Sequence, residues 1–209
     1  MRYEKELAKK ELNETGKKIL AAAEALFLEK GYNAVTTREI AAAAEVNLGL
    51  IPYYFGSKEA LGMMIVKDMN DRWYDRVFET YTAQLGSAER LYIYTVLLWD
   101  AMDEPSLKFI CEFMEACPSS AQASTTFVDM SWEVIREYKL QVTPLENECY
   151  LTAMKGAEQS LVLRQKKQEL NISSENISNL ILSNYFYNIG LPDKTIAAII
   201  RRCEEFLKK

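Results

Sequence analysis

Apolar residues in this chain recur every three or four positions along nearly its whole length and almost never alternate. That spacing gathers them on one face of an α-helix and does not fit the period of two of a half-buried strand. Ile19, Leu20, Ala23, Leu26 and Phe27 form one such stripe, and Leu61, Met64, Ile65, Met69, Trp73, Val77, Phe78 and Tyr81 form a longer one. The pattern predicts an all-α fold. Only 5 prolines and 8 glycines interrupt 209 residues, which suits long helices with short connections.

Caps and breakers divide the pattern. A first helix is expected over 15–30, closed by Gly31, a residue that enters the left-handed conformation without strain. Thr36 followed three residues later by Glu39 is a capping box that opens a second helix. Glu45-Val46-Asn47 makes a turn, and Asn47 is placed to cap a short third helix over 48–54. Pro52 would then sit fifth in that helix, where a proline costs about 3 kcal/mol in a long helix. The third helix must therefore be short or loosen into a 3₁₀ turn near Pro52. Ser57 caps a long fourth helix over 58–85. Further helices are expected over 88–103, 106–116, 124–141, 144–169, 174–189 and 193–208, with a loop around Pro118.

Composition narrows the chemistry. There is no histidine, which removes the commonest general base and metal ligand. Cys111, Cys117, Cys149 and Cys203 lack CxxC spacing, so neither a zinc site nor any cofactor is expected. They read as free thiols of a reducing compartment, with a redox role open for Cys111 and Cys117. Carboxylate pairs such as Asp100 with Asp103 and Glu104, or Glu112 with Glu115, have no supporting motif, so an enzyme is not expected. No apolar run approaches the ~18 residues of a membrane span, and the charged start does not resemble a signal peptide. A cytoplasmic location is the expectation. The net charge of −5 is unevenly spread. Residues 1–58 carry nine basic and eight acidic side chains, and residues 59–209 carry sixteen and twenty-two. A near-neutral front on an acidic body suits a nucleic-acid-binding head.

Three short helices with a tight turn before the third read as a helix-turn-helix. The residues make that reading specific. The stretch "ILAAAEALFLEKGYNAVTTREIAAAAEVNLGLIPYYFGSKEAL" resembles the DNA-binding domain of the TetR family of transcriptional repressors. The resemblance covers roughly residues 15–65. It is carried by Ala23, Leu26-Phe27 and Gly31-Tyr32, by Thr36 to Ala41, and by Tyr54-Phe55-Gly56-Ser57-Lys58-Glu59 with Leu61. Beyond residue 65 only the number and length of the helices are similar.

The resemblance implies a DNA-binding domain over 1–56 and a helical effector-binding and dimerisation domain over 57–209, with about nine or ten helices in all. In the family the third helix enters the major groove of a double-stranded operator. Thr37, Arg38, Tyr54 and Lys58 match positions that meet the DNA backbone, while Leu48, Gly49 and Tyr53 fall on the outward side of the third helix. Pro52 departs from the common pattern and offers apolar contact to a thymine methyl instead of a hydrogen bond. Ile40, Ile51 and Phe55 are expected in the core, and Thr36 is a cap.

The resemblance further implies a homodimer formed by late helices, here about 145–168 and 174–189. Ile177, Leu180, Ile181, Asn184 and Tyr185 are the candidates for that interface, the alternative being packing within their own subunit. A small-molecule effector is implied in the body, with Trp73, Tyr92, Trp99, Phe109, Phe113, Phe127 and Trp132 as candidate lining residues. Residues 88–142 carry nine acids against four bases among these aromatics, which suits a lipophilic cation. Met63, Met64, Met102 and Met114 suit a neutral hydrophobic effector equally. Binding would tilt the fourth helix and change the spacing of two reading heads, releasing a repressor from a palindromic operator. The alternative is a helical interaction protein that has lost DNA binding, for which Pro52 and the near-neutral head argue.

Overall fold

The computed structural model describes residues 12–81, 85–100, 102–117 and 125–208, the side chains of 76–81, 100 and 125 excepted. The charged start, the loop at Pro118 and the contribution of Val77, Phe78 and Tyr81 to their stripe lie outside the described residues. Ten helices and no strands occur among those described: α1 Glu14–Lys30, α2 Thr37–Ala43, α3 Leu50–Phe55, α4 Lys58–Tyr81, α5 Ser87–Asp100, α6 Glu104–Ala116, α7 Thr125–Glu137, α8 Pro144–Lys166, α9 Ser174–Asn188 and α10 Asp193–Leu207.

α2 begins where its capping box predicts, whereas α6 begins at Glu104 rather than 106, capped by Asp103, which is expected from the sequence inside the preceding helix. Asn13, Asp103 and Ser173 accept from amides three residues on. Thr36 with Glu39 and Thr143 with Glu146 both form complete capping boxes. Several ends fall earlier than expected. α7 stops at Glu137, short of residue 141, and α8 at Lys166, short of residue 169. The reason is a pair of left-handed residues, Lys139 at φ 53° and Gln168 at φ 60°. In each case the next amide reaches back five residues, Leu140 to Ile135 and Glu169 to Arg164. This is the Schellman ending, normally built on glycine. Glu45, at φ 55°, closes α2 in the same way, with Val46 N–H donating to the Ala41 carbonyl.

The described residues fall into two compact units, one within Met1–Asp68 and Asp103–Ser120, the other within Met69–Met102 and Ala121–Lys209. Compactness thus groups the chain differently from the expected division at residue 56, because α6 packs on α1. Phe109 stacks on Phe27 with centroids 5.2 Å apart and planes 9° from parallel. Phe113 meets Tyr32 edge-on at 5.0 Å. Gly62 on α4 permits this, since a Cβ there would lie 2.6 Å from Phe113 Cε2. Polar bonds fasten the same joint. Lys108 Nζ donates to the Lys30 carbonyl at the end of α1, and Glu112 accepts the Asn33 amide at 2.9 Å. Ile19, Ala23, Val35, Ile40, Ile51, Phe55, Leu61 and Ile65 complete this core.

The second unit is built around α5, whose residues Leu91 to Val96 are all buried. A helix buried on every side has neighbours all around it, here α7, α9 and α10. A polar chain joins three of the helices inside this core. Tyr185 Oη donates to Asn147 Oδ1 at 2.8 Å, Asn147 Nδ2 donates to Ser131 Oγ at 2.9 Å, and Ser131 Oγ donates to the Val128 carbonyl. Each member has a partner, so the network specifies packing without an unmet polar group.

Candidate nucleic-acid interface

The third helix answers the problem Pro52 poses. α3 begins at Leu50, so Pro52 lies in its first turn rather than fifth. Amides of a first turn have no intrahelical acceptor, and a missing one there costs little. The approach is a 3₁₀ turn: Leu50 N–H donates to the Asn47 carbonyl, and Ile51 N–H donates to the Leu48 carbonyl at 3.2 Å. That second bond uses the oxygen an unbroken α-helix would have offered to residue 52. Asn47 does not cap α3 as expected. Its Oδ1 accepts the Gly49 amide two residues on at 2.9 Å, an Asx turn.

This local geometry sets the outward face. Ile51 and Phe55 point inward and are buried. Leu48 is 41% exposed and Tyr53 68% exposed, with Gly49 and Pro52 also open to solvent. Arg38 is exposed on the first turn of α2, beside half-buried Thr37. Thr37, Leu48, Gly49, Pro52 and Lys58 line one open concavity of about 500 Å³, together with Asn47 and Ser57. From the sequence these last two are expected only as caps. Ser57 Oγ does cap, accepting from Ala60 N–H at 3.0 Å, yet both side chains border the concavity.

Two candidates are engaged within the unit. Tyr54 Oη accepts from Asn13 Nδ2 at 2.7 Å, which ties the cap of α1 to α3. Lys58 Nζ donates to the Tyr32 carbonyl at 2.6 Å and lies 4.1 Å from the centroid of the Tyr32 ring. Burial lowers its pKa from the ordinary lysine value. An ammonium carries three donors, so one carbonyl does not occupy it fully. Glu39 is held below the ordinary glutamate range, chiefly by the Thr36 amide it accepts. Its charge is thus spent on the capping box and on Lys30, 3.3 Å away.

The structure divides the remaining candidates. Of the candidate lining residues, Phe109 and Phe113 lie in the first unit, where Phe109 stacks on Phe27 and Phe113 meets Tyr32, while Trp73, Tyr92, Trp99, Phe127 and Trp132 belong to the second. Tyr92 donates to Asn179 Oδ1 at 2.5 Å and Trp99 to Glu158 Oε1 at 3.0 Å. Of the candidate interface residues, Ile177, Ile181 and Tyr185 are buried in their own subunit because they face α5 and α8 from α9. Leu180 is 50% exposed and Asn184 is exposed. Tyr187, 66% exposed and seven residues beyond Leu180, extends that same face; it went unnoticed because the buried stripe was the stronger signal.

Residues 19–61 match the family described as bacterial regulatory proteins, tetR family. Over 80 residues the chain is 34% identical to the HTH-type transcriptional regulator QacR of Staphylococcus aureus, covering 38% of this chain and 43% of that one. Over 77 residues it is 46% identical to the HTH-type transcriptional dual regulator CecR of Shigella flexneri, covering 36% and 32%. The match thus spans less than half the length of these relatives. In solved structures, the fold is that of RolR in complex with resorcinol, with a TM-score of 0.62 at 14% identity over 90% of this chain and 93% of that one.

Proposed function

We propose that this chain, whose front end is a DNA-binding domain of the tetR family, is a homodimeric repressor released from a palindromic operator by a small molecule. The observation that carries the reading is the exposure of Leu48, Gly49, Pro52 and Tyr53 beside Arg38, within a domain whose core is otherwise closed. Residues 1–56 act as the reading head and residues 57–209 as the effector-binding and dimerisation domain. Tyr53 and the apolar edge of α3 read base edges and thymine methyls, while Thr37, Arg38, Tyr54 and Lys58 hold phosphates. The open face of α9, with Leu180, Asn184 and Tyr187, meets a second copy, since a two-fold operator calls for a two-fold protein. Ligand response is supported by the like-folded RolR, whose structure holds resorcinol. The matched relatives are regulators, and no helix among the described residues is long and apolar enough to cross a membrane.

The test is selection of duplexes from sheared DNA of the source genome, followed by gel shifts across a salt series. Arg38→Ala is expected to weaken all duplexes alike and flatten the salt slope by about one. Tyr53→Ala is expected to relax sequence preference at one operator position. Absence of salt-dependent binding to every duplex would refute the reading and favour a lapsed DNA binder.

A further inference from the structure

The second unit holds a buried charge pair within a group of aromatic rings. Glu158 on α8 is 1% exposed. Its Oε1 accepts from the Trp99 indole, and its Oε2 pairs with the Lys155 ammonium one turn earlier. The same ammonium lies 4.8 Å from the centroid of the Phe127 ring. Tyr94 approaches Phe127 at 6.2 Å, and Tyr74 stands edge-on to Tyr94 at 6.0 Å. The Tyr94 side chain is buried, and among the described residues its hydroxyl has no hydrogen-bond partner. Burial, then Glu158 and Asp71, push its phenol far above the ordinary range, so it remains a donor. Four helices, α4, α5, α7 and α8, thus bring one ammonium, one buried carboxylate and an unmet donor to one place.

A buried ion pair gives little net stability, because desolvation offsets its attraction. An unmet buried hydroxyl is also a cost. Packing alone accounts for neither feature, but a ligand seat accounts for both. The face of Phe127 and the Glu158 carboxylate are together what a cation recognises. The Tyr94 hydroxyl can donate to an acceptor atom carried beside the cationic group of such a ligand; phenyltrimethylammonium, which carries none, tests the cation seat alone. We propose that this cluster binds an organic aromatic monocation, and that Lys155 occupies the seat as a tethered substitute until such a ligand displaces it.

This rests on the reading of the chain as a ligand-responsive regulator and names the class of its effector. Exchange of cation for cation keeps Glu158 neutralised at every stage. The Lys155 side chain, 16% exposed in the pair, has a route toward water. As a tethered competitor it acts at high effective concentration, so only a ligand that also gains ring contacts replaces it. A neutral molecule would leave Lys155 in place and gain nothing from Glu158.

The experiment uses the full-length protein without DNA and a probe pair of equal shape, phenyltrimethylammonium and its uncharged analogue tert-butylbenzene, followed by calorimetry. The cation is expected to bind at least tenfold more tightly than the analogue. Lys155→Gln is expected to tighten the cation at least tenfold further, and Glu158→Gln to abolish the difference between the probes. Equal binding of both probes, an unchanged preference in Glu158→Gln, or no binding of either probe overturns the proposal. If Lys155→Gln does not fold, as judged by circular dichroism, wild type against Glu158→Gln decides alone. Duplex binding is then measured separately. An operator bound without any response at this seat overturns the effector class and leaves the regulator standing. Cation binding to a chain that binds no duplex supports the seat while overturning the regulator.

Discussion

Replacing Pro52 by alanine separates two accounts of the third helix by the sign of its effect. Were Pro52 interior to a helix, alanine would restore a backbone bond and relieve a clash worth about 3 kcal/mol, and the head would become more stable. The structure puts Pro52 in the first turn of α3, with the Leu48 carbonyl already accepting from Ile51. The ring is exposed, so its loss removes no buried contact. What remains is the greater freedom of the unfolded alanine chain, which lowers stability by about 0.4–1 kcal/mol. All three tryptophans, Trp73, Trp99 and Trp132, lie in the second unit, so fluorescence would miss the effect. Amide hydrogen exchange at Ile40, Ala41 and Phe55 reports the head directly. Protection there is expected to fall about two- to five-fold in Pro52→Ala, by the same entropy difference. A rise in protection would refute the first-turn account.

Other substitutions have equally definite outcomes. Glu45→Gly relieves a left-handed non-glycine residue and should stabilise the head by about 0.5–1 kcal/mol after allowing for glycine's own chain entropy; reduced amide protection in α2 would contradict this. Thr36→Ala should cost about 1 kcal/mol through the lost cap. Glu39 is held below the ordinary glutamate range, so its contribution is present above that range and disappears as pH falls through its lowered value. Thr36→Ala should therefore lessen the head's sensitivity to acid, seen as a smaller difference in protection between pH 7 and pH 4 than in wild type. Leu180→Glu with Tyr187→Glu changes only exposed positions and should convert a dimer to a folded monomer in sedimentation; an unaltered dimer mass would place the interface elsewhere.

The legible parts of this chain were those with local chemical signals. The capping box of Thr36 with Glu39, the cap at Ser57 and the closing Gly31 marked boundaries, whereas Asp103, read as the end of one helix, caps the next. The outward set Leu48, Gly49, Pro52 and Tyr53 followed from one turn's spacing. The overlong readings of α7 and α8 arose because Lys139 and Gln168 take a shape that glycine normally signals. Lys58 illustrates a different gap: the resemblance assigns it to a phosphate, while its bond to the Tyr32 carbonyl depends on folding that brings residues 26 positions apart together. Phe109 and Phe113 are apolar at helical spacing whichever unit they join, so nothing local could assign them to α1. The pairing of Lys155 with Trp99's acceptor Glu158 was hidden similarly, since helix surfaces carry many such charges.

Because α6 supplies Phe109 and Phe113 to the first unit, that unit cannot finish its interior until synthesis has passed Ala116. From Asp68, the last residue of that unit's first segment, to that point takes a ribosome several seconds at ~5–20 residues per second. Throughout that interval Phe27 and Tyr32 lack their covering rings. A fragment cut after Asp68 would remain permanently in that uncovered state, so the first unit does not separate from the rest at that point.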